Sequence, residues 1–367
     1  MAPDIVIVGA GVIGCAIAYE LARAGAGRIV VLDRGQPGGE ASNASAGLLA
    51  VASSRAPGGV LFGLRRTSAA LFPELAVALK EDSGVDVEYR QAGLLELAFT
   101  EADARSLARL ASRRREQGFR AQELDTQATV TIEPGVNTSL HTAILFPDDC
   151  SVNSERLVAA LYRAAQRRGV EFRLGAAVTD VETAGARAVA ITVNGERLAS
   201  AWVVVAAGVW SREVGALLRL KIPVRPDRGE MIALRPEEPL THTVVYNDGY
   251  LIPRNDGEVL VGATSARGES DKIVTAKSLA LLLGRAIRMV PALEDATLVR
   301  AWAGLRPCST LRRPIIGPAR GFENVLLATG HHRSGILLAP VTAKLITELI
   351  TQRATSVSLQ PFCHKAR

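Results

Sequence analysis

Apolar runs and a glycine-rich turn alternate at the start of the chain. Residues 4–8 form a β-branched run, Asp-Ile-Val-Ile-Val, of the kind that predicts a strand buried on both faces. The sequence G-A-G-V-I-G follows at residues 9–14, and residues 15–22 then carry small apolar side chains at helical spacing. Residues 29–32 repeat the buried-strand pattern, which ends at Asp33. The pattern predicts a strand, a G-x-G-x-x-G turn, a helix and a second strand.

Each part of this motif has a physical role in binding a dinucleotide. Gly9 permits a tight turn, Gly11 lets backbone N–H groups approach a pyrophosphate, and Gly14 allows close packing of helix against strand. The helix N-terminus adds positive potential for the phosphates. Asp33 follows Gly14 by 19 residues and can accept hydrogen bonds from a ribose diol, whereas it would repel a 2′-phosphate. The predicted ligand is therefore NAD or FAD and not NADP.

The segment after the second strand does not decide between these two dinucleotides. Residues 40–49 are rich in small and hydroxyl side chains. Such a segment suits a chain that lies against a large ligand, and it equally suits an ordinary loop and helix start. The compact, repeated βαβ units typical of an NAD dehydrogenase are not evident at this point of the chain.

The remainder of the chain predicts a mixed helix and strand architecture. We expect helices at 101–117, 153–168 and 335–350, and an irregular segment at 129–146. The buried strands and the alternating, half-exposed strands occur in separate regions, and no linker rich in Pro, Gly or Ser divides them. Two interwoven domains are thus favoured over two in tandem. The predicted strands are 171–173, 177–181, 188–193, 201–207, 231–234, 250–253, 259–264 and 325–329.

Composition and charge describe a soluble globular protein. The chain has 367 residues, of which 48% are hydrophobic and 22% charged, and this excludes a disordered or collagen-like chain. Lys and Arg number 43 against 37 Asp and Glu, so the formal net charge is +6. Because the basic residues are not clustered and aromatic residues are only 4% of the chain, nucleic-acid binding is not predicted.

Cysteine spacing and the apolar N-terminal region exclude further classes. The four cysteines are far apart without C-x-x-C spacing, so the sequence predicts free thiols in a cytoplasmic protein. Residues 5–19 carry no charge but are too short to span a bilayer, and we expect no integral membrane segment. His331 and His332 lack a third ligand at metal spacing, so no metal is predicted and a polar turn remains the simpler interpretation.

Four segments together resemble the family of FAD-dependent D-amino-acid oxidases. They are the motif at 9–33, A-A-G-V-W at 206–210, W-A-G-L-R-P at 302–307 and G-H-H-R-S-G-I-L-L-A-P at 330–340. The resemblance extends over nearly the whole chain, and within the family it is strongest to the glycine-oxidising members of thiamine biosynthesis. It implies non-covalently bound FAD and a homo-oligomer.

The resemblance also implies a fold and a set of cofactor contacts. A Rossmann-like α/β FAD-binding domain would comprise residues 1–88, 145–220 and 305–367. It would be interwoven with an α+β substrate-binding domain, built on an antiparallel sheet, at 89–144 and 221–304. The expected FAD contacts are Gly9, Gly11, Val12, Ile13, Gly14, Asp33, Arg34, Ser42, Ser45, Ala46, Gly47, Leu48, Val178, Ala207, Gly208, Trp210, Gly330, His332, Arg333, Ser334, Gly335, Ile336 and Leu337.

The activity implied by the resemblance is oxidative deamination of glycine and of small amines or D-amino acids such as sarcosine, D-alanine and D-proline. A hydride would pass from the substrate Cα to flavin N5, and dioxygen would be reduced to hydrogen peroxide. A dehydrogenase that passes electrons to a quinone would share these motifs. A flavin-binding subunit without turnover of its own would retain the nucleotide motif.

The resemblance assigns Arg306, Tyr250 and Arg333 to the reaction. Arg306 would bind the substrate carboxylate, Tyr250 would donate its hydroxyl to it, and Arg333 would lie close to the flavin ring. Composition alone would favour a surface role for any one arginine, and a tyrosine in a strand is more often a core residue. Ser265, where the family carries methionine, and Asp248 are expected in the substrate pocket, and the shorter Ser265 would leave room for larger amines.

Overall fold

The computed structural model describes residues 3–55 and 59–364. The strands, in chain order, are β1 (Ile5–Val8), β2 (Ile29–Leu32), β3 (Leu48–Leu49), β4 (Leu94–Ala98), β5 (Gln122–Leu124), β6 (Thr142–Phe146), β7 (Cys150–Ser151), β8 (Glu171–Arg173), β9 (Val178–Ala184), β10 (Arg187–Val193), β11 (Glu196–Ala199), β12 (Trp202–Val205), β13 (Val224–Arg235), β14 (Thr243–Tyr246), β15 (Gly249–Pro253), β16 (Val259–Gly262), β17 (Ala266–Arg267), β18 (Thr297–Ser309), β19 (Ile315–Pro318) and β20 (Val325–Thr329). The helices are α1 (Val12–Arg23), α2 (Val60–Ala70), α3 (Phe72–Ser83), α4 (Glu101–Glu116), α5 (Thr126–Ile132), α6 (Ser154–Arg167), α7 (Ser211–Leu217), α8 (Ala276–Met289) and α9 (Gly335–Ile350).

A six-stranded sheet has the order β19-β20-β12-β1-β2-β8, and its neighbours are parallel except for the edge pair β19 and β20. Strands β1 and β2 are buried along their whole length, as their uninterrupted apolar runs predict. Helices α1, α6 and α9 cover one face of this sheet. The three-stranded antiparallel sheet β9-β10-β11 covers the other face. The result is a three-layer nucleotide-binding architecture.

A nine-stranded sheet has the order β17-β13-β16-β15-β14-β4-β6-β5, with β18 paired to β13. Its neighbours are antiparallel except β14 and β4, which run parallel. One face packs against α5 and α8 around a separate apolar core. The opposite face contacts the first domain through smaller apolar clusters. Because successive side chains of a strand point to opposite faces of the sheet, every second residue of these strands lies on the face toward the first sheet, where it can contact a ligand.

Most elements expected from the apolar pattern are confirmed. The helices predicted at 101–117, 153–168 and 335–350 are α4, α6 and α9, with bounds that agree to within one residue. Helix α9 is buried along most of its length because α1 and α2 pack against it, and Lys344 and Glu348 lie on its less buried side. No helix within residues 3–55 and 59–364 combines the length and apolar character needed to cross a lipid bilayer.

The prediction of an irregular segment at 129–146 is wrong. It contains most of α5 and the whole of β6. Helix α5 is short and rich in β-branched threonine and valine, which weakens its sequence signal, while the Asp125 side chain caps it by accepting from the N–H of Ala128. Strand β6 forms because β4 and β5 pair on either side of it, which no local pattern reveals.

The two sheets bear directly on the expected domain division. All six strands of the parallel sheet fall within the ranges predicted for the first domain. The expected boundaries at 144/145 and 304/305 fall inside β6 and β18, which belong wholly to the nine-stranded sheet. Sheet membership therefore favours boundaries after Phe146 and after Ser309, and the division itself remains a prediction.

Candidate functional site

A cavity of about 1060 Å³ lies between the two sheets. One wall is formed where β1, β2, β12 and β20 end, and the other by the inner face of the nine-stranded sheet. The carboxyl ends of parallel strands are the usual place for a ligand in an open α/β sheet. The volume is enough for a large ligand together with a small second one.

Two helix N-termini face this cavity. Gly11 and Ser334 occupy the positions before α1 and α9, and within the described residues neither makes a side-chain cap hydrogen bond. The first turns of both helices also lack acidic residues. The N–H of Val12 donates a 2.9 Å hydrogen bond to the Ser42 hydroxyl, while the remaining backbone N–H groups of the first turn and the helix dipole make such ends favourable for anionic groups. One end suits a pyrophosphate, and the other suits a ring that gains negative charge.

Asp33 lies at the end of β2 and lines the cavity. Its Oδ2 accepts a hydrogen bond of 2.6 Å from the N–H of Ala10, and its Oδ1 accepts one of 2.7 Å from the N–H of Gly35. Each carboxylate oxygen can accept a second hydrogen bond, so ribose hydroxyls still find acceptors there. Beside it, the guanidinium of Arg34 stacks 3.8 Å above the ring of Trp210 and forms part of the wall.

The expected FAD contacts line the cavity with two exceptions, Gly14 and Gly330. An added Cβ on Gly14 would lie 1.8 Å from the carbonyl oxygen of Gly9, so this glycine acts through helix packing rather than contact with a ligand. Gly330 has a φ of 75°, which glycine adopts without strain, and it turns the chain at the end of β20. Both positions shape the site from behind its wall.

Arg306 on β18 is held in the wall of the cavity with 16% of its side chain exposed. Its Nη1 donates a 2.9 Å hydrogen bond to the carbonyl oxygen of Thr264 and lies 3.9 Å from Asp227 Oδ2. Burial lowers the pKa of Arg306, and the charge on Asp227 acts in the opposite direction. A desolvated guanidinium of this kind attracts a carboxylate strongly.

Tyr250 on β15 faces the same space as Arg306. Burial raises the pKa of its phenol, while the nearby positive charges of Arg306 and Arg333 partly oppose that effect. Its hydroxyl lies 3.7 Å from the sulfur of Met231, a weak partner that a polar ligand atom would replace favourably. The phenol is thus a neutral hydrogen-bond donor next to the guanidinium.

Arg333 and Asp248 face each other at the exposed part of the cavity. Their closest side-chain atoms are 4.0 Å apart, and the side chains are 49% and 76% exposed. Both residues lie where the sequence predicts them, at the ligand cavity. An ion pair as exposed as this one is weak, so either side chain is free to contact a ligand.

Ser265 does not line the cavity, so the cavity gives no support to its expected place in the substrate pocket, which stays a prediction. Strand β16 ends at Gly262, and the chain then passes to β17 at the edge of the sheet. Ser265 is exposed there, outside the cavity, and its hydroxyl donates a 2.7 Å hydrogen bond to Asp227 Oδ1. Its influence on the site passes through that carboxylate and not through the volume of the pocket.

Asp227 is a functional residue that the sequence analysis missed. It is fully buried, and its Oδ2 lies 2.6 Å from Nε2 of His332, a residue predicted only as a cofactor contact. Burial favours a higher pKa for Asp227, but the hydrogen bonds from His332 and Ser265 and the charge on Arg306 outweigh it and lower the pKa. The available signal was an aspartate in the charged segment R-P-D-R-G-E at residues 225–230, which forms the first half of β13 yet carries buried side chains.

A second buried carboxylate, Glu96, was also missed. It lies on β4 among apolar neighbours, lines the cavity and forms an ion pair with Arg55. Its Oε2 has no hydrogen-bond partner among the described residues. Burial raises the pKa of Glu96 to about 7, although Arg55 acts against it. The lone acidic side chain in the run Leu-Leu-Glu-Leu-Ala was the signal that could have identified it.

Over residues 3–55 and 59–364, groups of three or more His, Cys, Asp or Glu side chains that could hold a metal ion do not occur. The fully buried His331 instead pairs through Nε2 with the hydroxyl of Thr342 at 3.1 Å. Desolvation lowers the pKa of His331 to about 3, which keeps that imidazole neutral.

The fold and the cavity together define a two-domain dinucleotide-binding protein with a second sheet facing the ligand. The family described as FAD dependent oxidoreductase (DAO) matches residues 4–349. The chain therefore belongs to the DAO family of FAD-dependent oxidoreductases, and FAD is its cofactor.

Known proteins resemble the chain over its whole length. It is 36% identical to the glycine oxidase of Geobacillus kaustophilus over 98% of this chain and 96% of that one. It is 33% identical to the glycine oxidase of Pseudomonas putida, with both chains covered completely. The crystal structure of the Geobacillus kaustophilus glycine oxidase superposes with a TM-score of 0.95 at 34% identity, covering 100% of this chain and 99% of the other.

Proposed function

We propose that the protein oxidises glycine and small amines or D-amino acids, including sarcosine, D-alanine and D-proline. The products are the oxo acid, ammonia or an amine, and hydrogen peroxide. The observation that carries this proposal is Arg306, a desolvated guanidinium in the cavity wall with the Tyr250 hydroxyl beside it. The full-length similarity to two glycine oxidases supports the same substrate class.

The residues around the cavity fit FAD. The α1 N-terminus would hold the pyrophosphate, Asp33 the adenosine ribose, and the α9 N-terminus the pyrimidine edge of the flavin. When bound, FAD supplies a two-electron acceptor for the hydride of the substrate Cα and passes the electrons to dioxygen. Backbone N–H groups at Gly335, Ile336 and Leu337 would stabilise negative charge that develops next to them.

The side chains of the second sheet orient the amino acid. Arg306 would bind the substrate carboxylate through charge-assisted hydrogen bonds, and Tyr250 would donate a further one. The apolar wall around Met231 and Val245 excludes water from the reacting carbon. An L-amino acid held by the same carboxylate contacts would turn its Cα hydrogen away from the flavin, so we expect L-isomers to be refused.

The proposal is tested with the purified FAD-loaded protein. Flavin bleaching under anaerobic conditions is measured with glycine, sarcosine, D-alanine, D-proline and matching L-isomers, followed by peroxide release in air. We expect bleaching by glycine or a small D-amino acid, and stoichiometric peroxide. Bleaching without peroxide, but with reduction of a quinone, would make the protein a dehydrogenase. Absence of bleaching with every amine would reject the proposal in favour of a flavin-binding subunit.

A further inference from the structure

The turn between β20 and α9 places the imidazole of His332 on the cavity wall. The residue has a φ of 53°, a left-handed conformation that is uncommon outside glycine. Its Nε2 lies 2.6 Å from Asp227 Oδ2. Within the described part of the chain, Asp227 is the only hydrogen-bond partner of this imidazole. The contact fixes one ring proton on Nε2 and leaves the lone pair on Nδ1.

The same carboxylate also connects His332 to Arg306. Asp227 Oδ2 lies between the two, 2.6 Å from the imidazole and 3.9 Å from the guanidinium. A substrate whose carboxylate pairs with Arg306 carries its amino group two bonds away from that carboxylate. A substrate bound in this way would place its amino group in the same cavity that His332 borders.

The amino group must lose a proton before the amino acid can be oxidised. An amino acid binds from neutral solution as a zwitterion, because alkylammonium groups have a pKa of about 10. A hydride leaves Cα only when the nitrogen has a free electron pair to form the imine. The positive charges of Arg306 and Arg333 disfavour an ammonium in the cavity, but a proton acceptor is still required.

Asp227 and four other titratable side chains that line the same cavity as His332 are poor acceptors for this proton. Arg306 on β18 and Arg333 on the same turn are cations, and burial raises the pKa of Tyr250 on β15. Asp227 on β13 has a lowered pKa and already accepts hydrogen bonds from His332 and Ser265. Asp248 is 76% exposed and faces Arg333 at the exposed part of the cavity.

We propose that His332 accepts the proton of the substrate ammonium and that Asp227 is its positioning residue. This inference rests on the proposed amine oxidation. An N–H bond of the ammonium breaks, its electron pair stays on the substrate nitrogen, and the proton bonds to Nδ1 of His332. Asp227 keeps its hydrogen bond to Nε2 and balances the imidazolium charge, as the carboxylate does in a catalytic triad. The proton then passes to solvent, and no electron is transferred in this step.

The test measures anaerobic flavin reduction by glycine between about pH 6 and pH 10. In His332→Gln the amide can keep the hydrogen bond to Asp227 but cannot accept a proton. We expect reduction roughly 100-fold slower than wild type near pH 7, the size typical of a lost general base. The defect should shrink strongly toward pH 10, where about half of the free glycine is already deprotonated. The matched control is His141→Gln, which removes an exposed imidazole outside the cavity and should follow wild type.

A defect of the same size at every pH would overturn the proposal, because it would show a structural role. An unchanged rate in His332→Gln would overturn it as well. In both cases the wild type still oxidises amines, so the proposed function stands. If wild type is not reduced by any amine, both proposals fail together.

Two further measurements guard against a general loss of structure. Acetate carries the carboxylate without the amine, and its binding to the FAD-loaded protein can be followed through the flavin spectrum. His332→Gln should bind acetate within a few-fold of wild type, whereas a loss of tenfold or more would assign His332 to carboxylate binding and reject a proton role. If His332→Gln does not fold, Asp227→Asn should show the same pH-dependent defect, and a pH-independent one rejects the proposal.

Discussion

The guanidinium of Arg306 lies directly over the backbone of Gly229 on the neighbouring strand. A Cβ built on Gly229 would come within 2.1 Å of Nη2 of Arg306. In the same pair of strands, Asp227 is the residue directly opposite Arg306. One strand therefore supplies both the space into which the guanidinium extends and the carboxylate next to it.

This contact predicts that Gly229→Ala will displace Arg306 without removing it. We expect a higher KM and a lower kcat/KM for amino acids, with FAD retained, because the methyl group occupies the position of the guanidinium. Gly284→Ala is the matched control, since a Cβ there meets no described atom within 4 Å. Because glycine destabilises a helix interior relative to alanine, the Gly284→Ala substitution in α8 should raise the free energy of unfolding by roughly 0.5–1 kcal/mol. Equal kinetics for the two variants would contradict the prediction.

Arg306→Ala should raise KM steeply and lower kcat/KM while the protein stays yellow. Truncating one partner of a buried charge pair costs about 2–5 kcal/mol, or roughly 30- to 4000-fold. Arg300→Ala on the same strand serves as control, because that side chain is 46% exposed, does not line the cavity and pairs with Glu155 and Glu258. The measurement is steady-state kinetics of both variants with glycine, sarcosine, D-alanine and D-proline. Wild-type kcat/KM on every substrate would exclude Arg306, and Arg333 would be tested next.

FAD should be released when the protein is precipitated with acid. Cys308 lies two residues beyond Arg306, but it is outside the cavity, and its nearest hydrogen-bond acceptor is the carbonyl oxygen of Ser309. A thioether to the flavin is therefore not expected. The measurement is the absorbance of the supernatant after precipitation, which should be yellow. Colour that stays with the pellet in wild type and is released in Cys308→Ser would show a covalent link.

Ser265→Met should leave the ratio of kcat/KM for D-proline and glycine unaltered, because the side chain lies outside the cavity. Val245 does line the cavity, and Val245→Ala adds volume there. That variant should shift the ratio toward the larger substrate, since each buried CH₂ contributes roughly 0.8 kcal/mol. The two variants are compared across glycine, sarcosine, D-alanine and D-proline. A shift in Ser265→Met alone would place that residue at the substrate after all.

Glu96 should make the stability of the protein depend on pH. Burial raises the pKa of Glu96 from 4.5 to about 7 in the folded state, so its favourable protonation is complete below pH 4.5 and is lost as the pH rises through 7. Glu96→Gln stays neutral, and its thermal unfolding temperature should therefore rise relative to wild type between pH 5 and pH 8. The change corresponds to at most about 3 kcal/mol. Glu123→Gln, at an exposed position, is the control, and a parallel response of both variants would contradict the assignment.

Local sequence was sufficient to predict the strands, the helix and the glycine turn at the nucleotide-binding end of the molecule. Strand β1, the glycine turn, α1, β2 and Asp33 are consecutive, so periodicity and glycine spacing describe them without knowledge of the rest of the fold. Helix α9 was predictable for the same reason, because sixteen residues of mainly apolar pattern follow directly on a glycine turn. The family resemblance then added Arg306 and Tyr250, which no periodicity identifies as functional.

Long-range strand pairing decided the remainder of the site. Asp227 is opposite Arg306 only because β13 and β18 pair over their whole length, although the two residues are far apart in sequence. Strand β13 also pairs with the short strand β17, and this pairing holds Ser265, directly before β17, outside the cavity lining. His332 contacts Asp227 because a turn of the parallel sheet packs against a strand of the other sheet.

The sequence by itself determined the strands and helix of the nucleotide end, the long helices α4, α6 and α9, where a dinucleotide binds and to which family the chain is similar. Those properties depend on neighbours within a few residues, or on motifs read in order along the chain. Only the tertiary structure decided that Asp227, His332 and Arg306 share one carboxylate oxygen, and that Glu96 is buried in the cavity wall. Register and sheet order depend on contacts between distant segments, and single-residue patterns carry no information about those contacts.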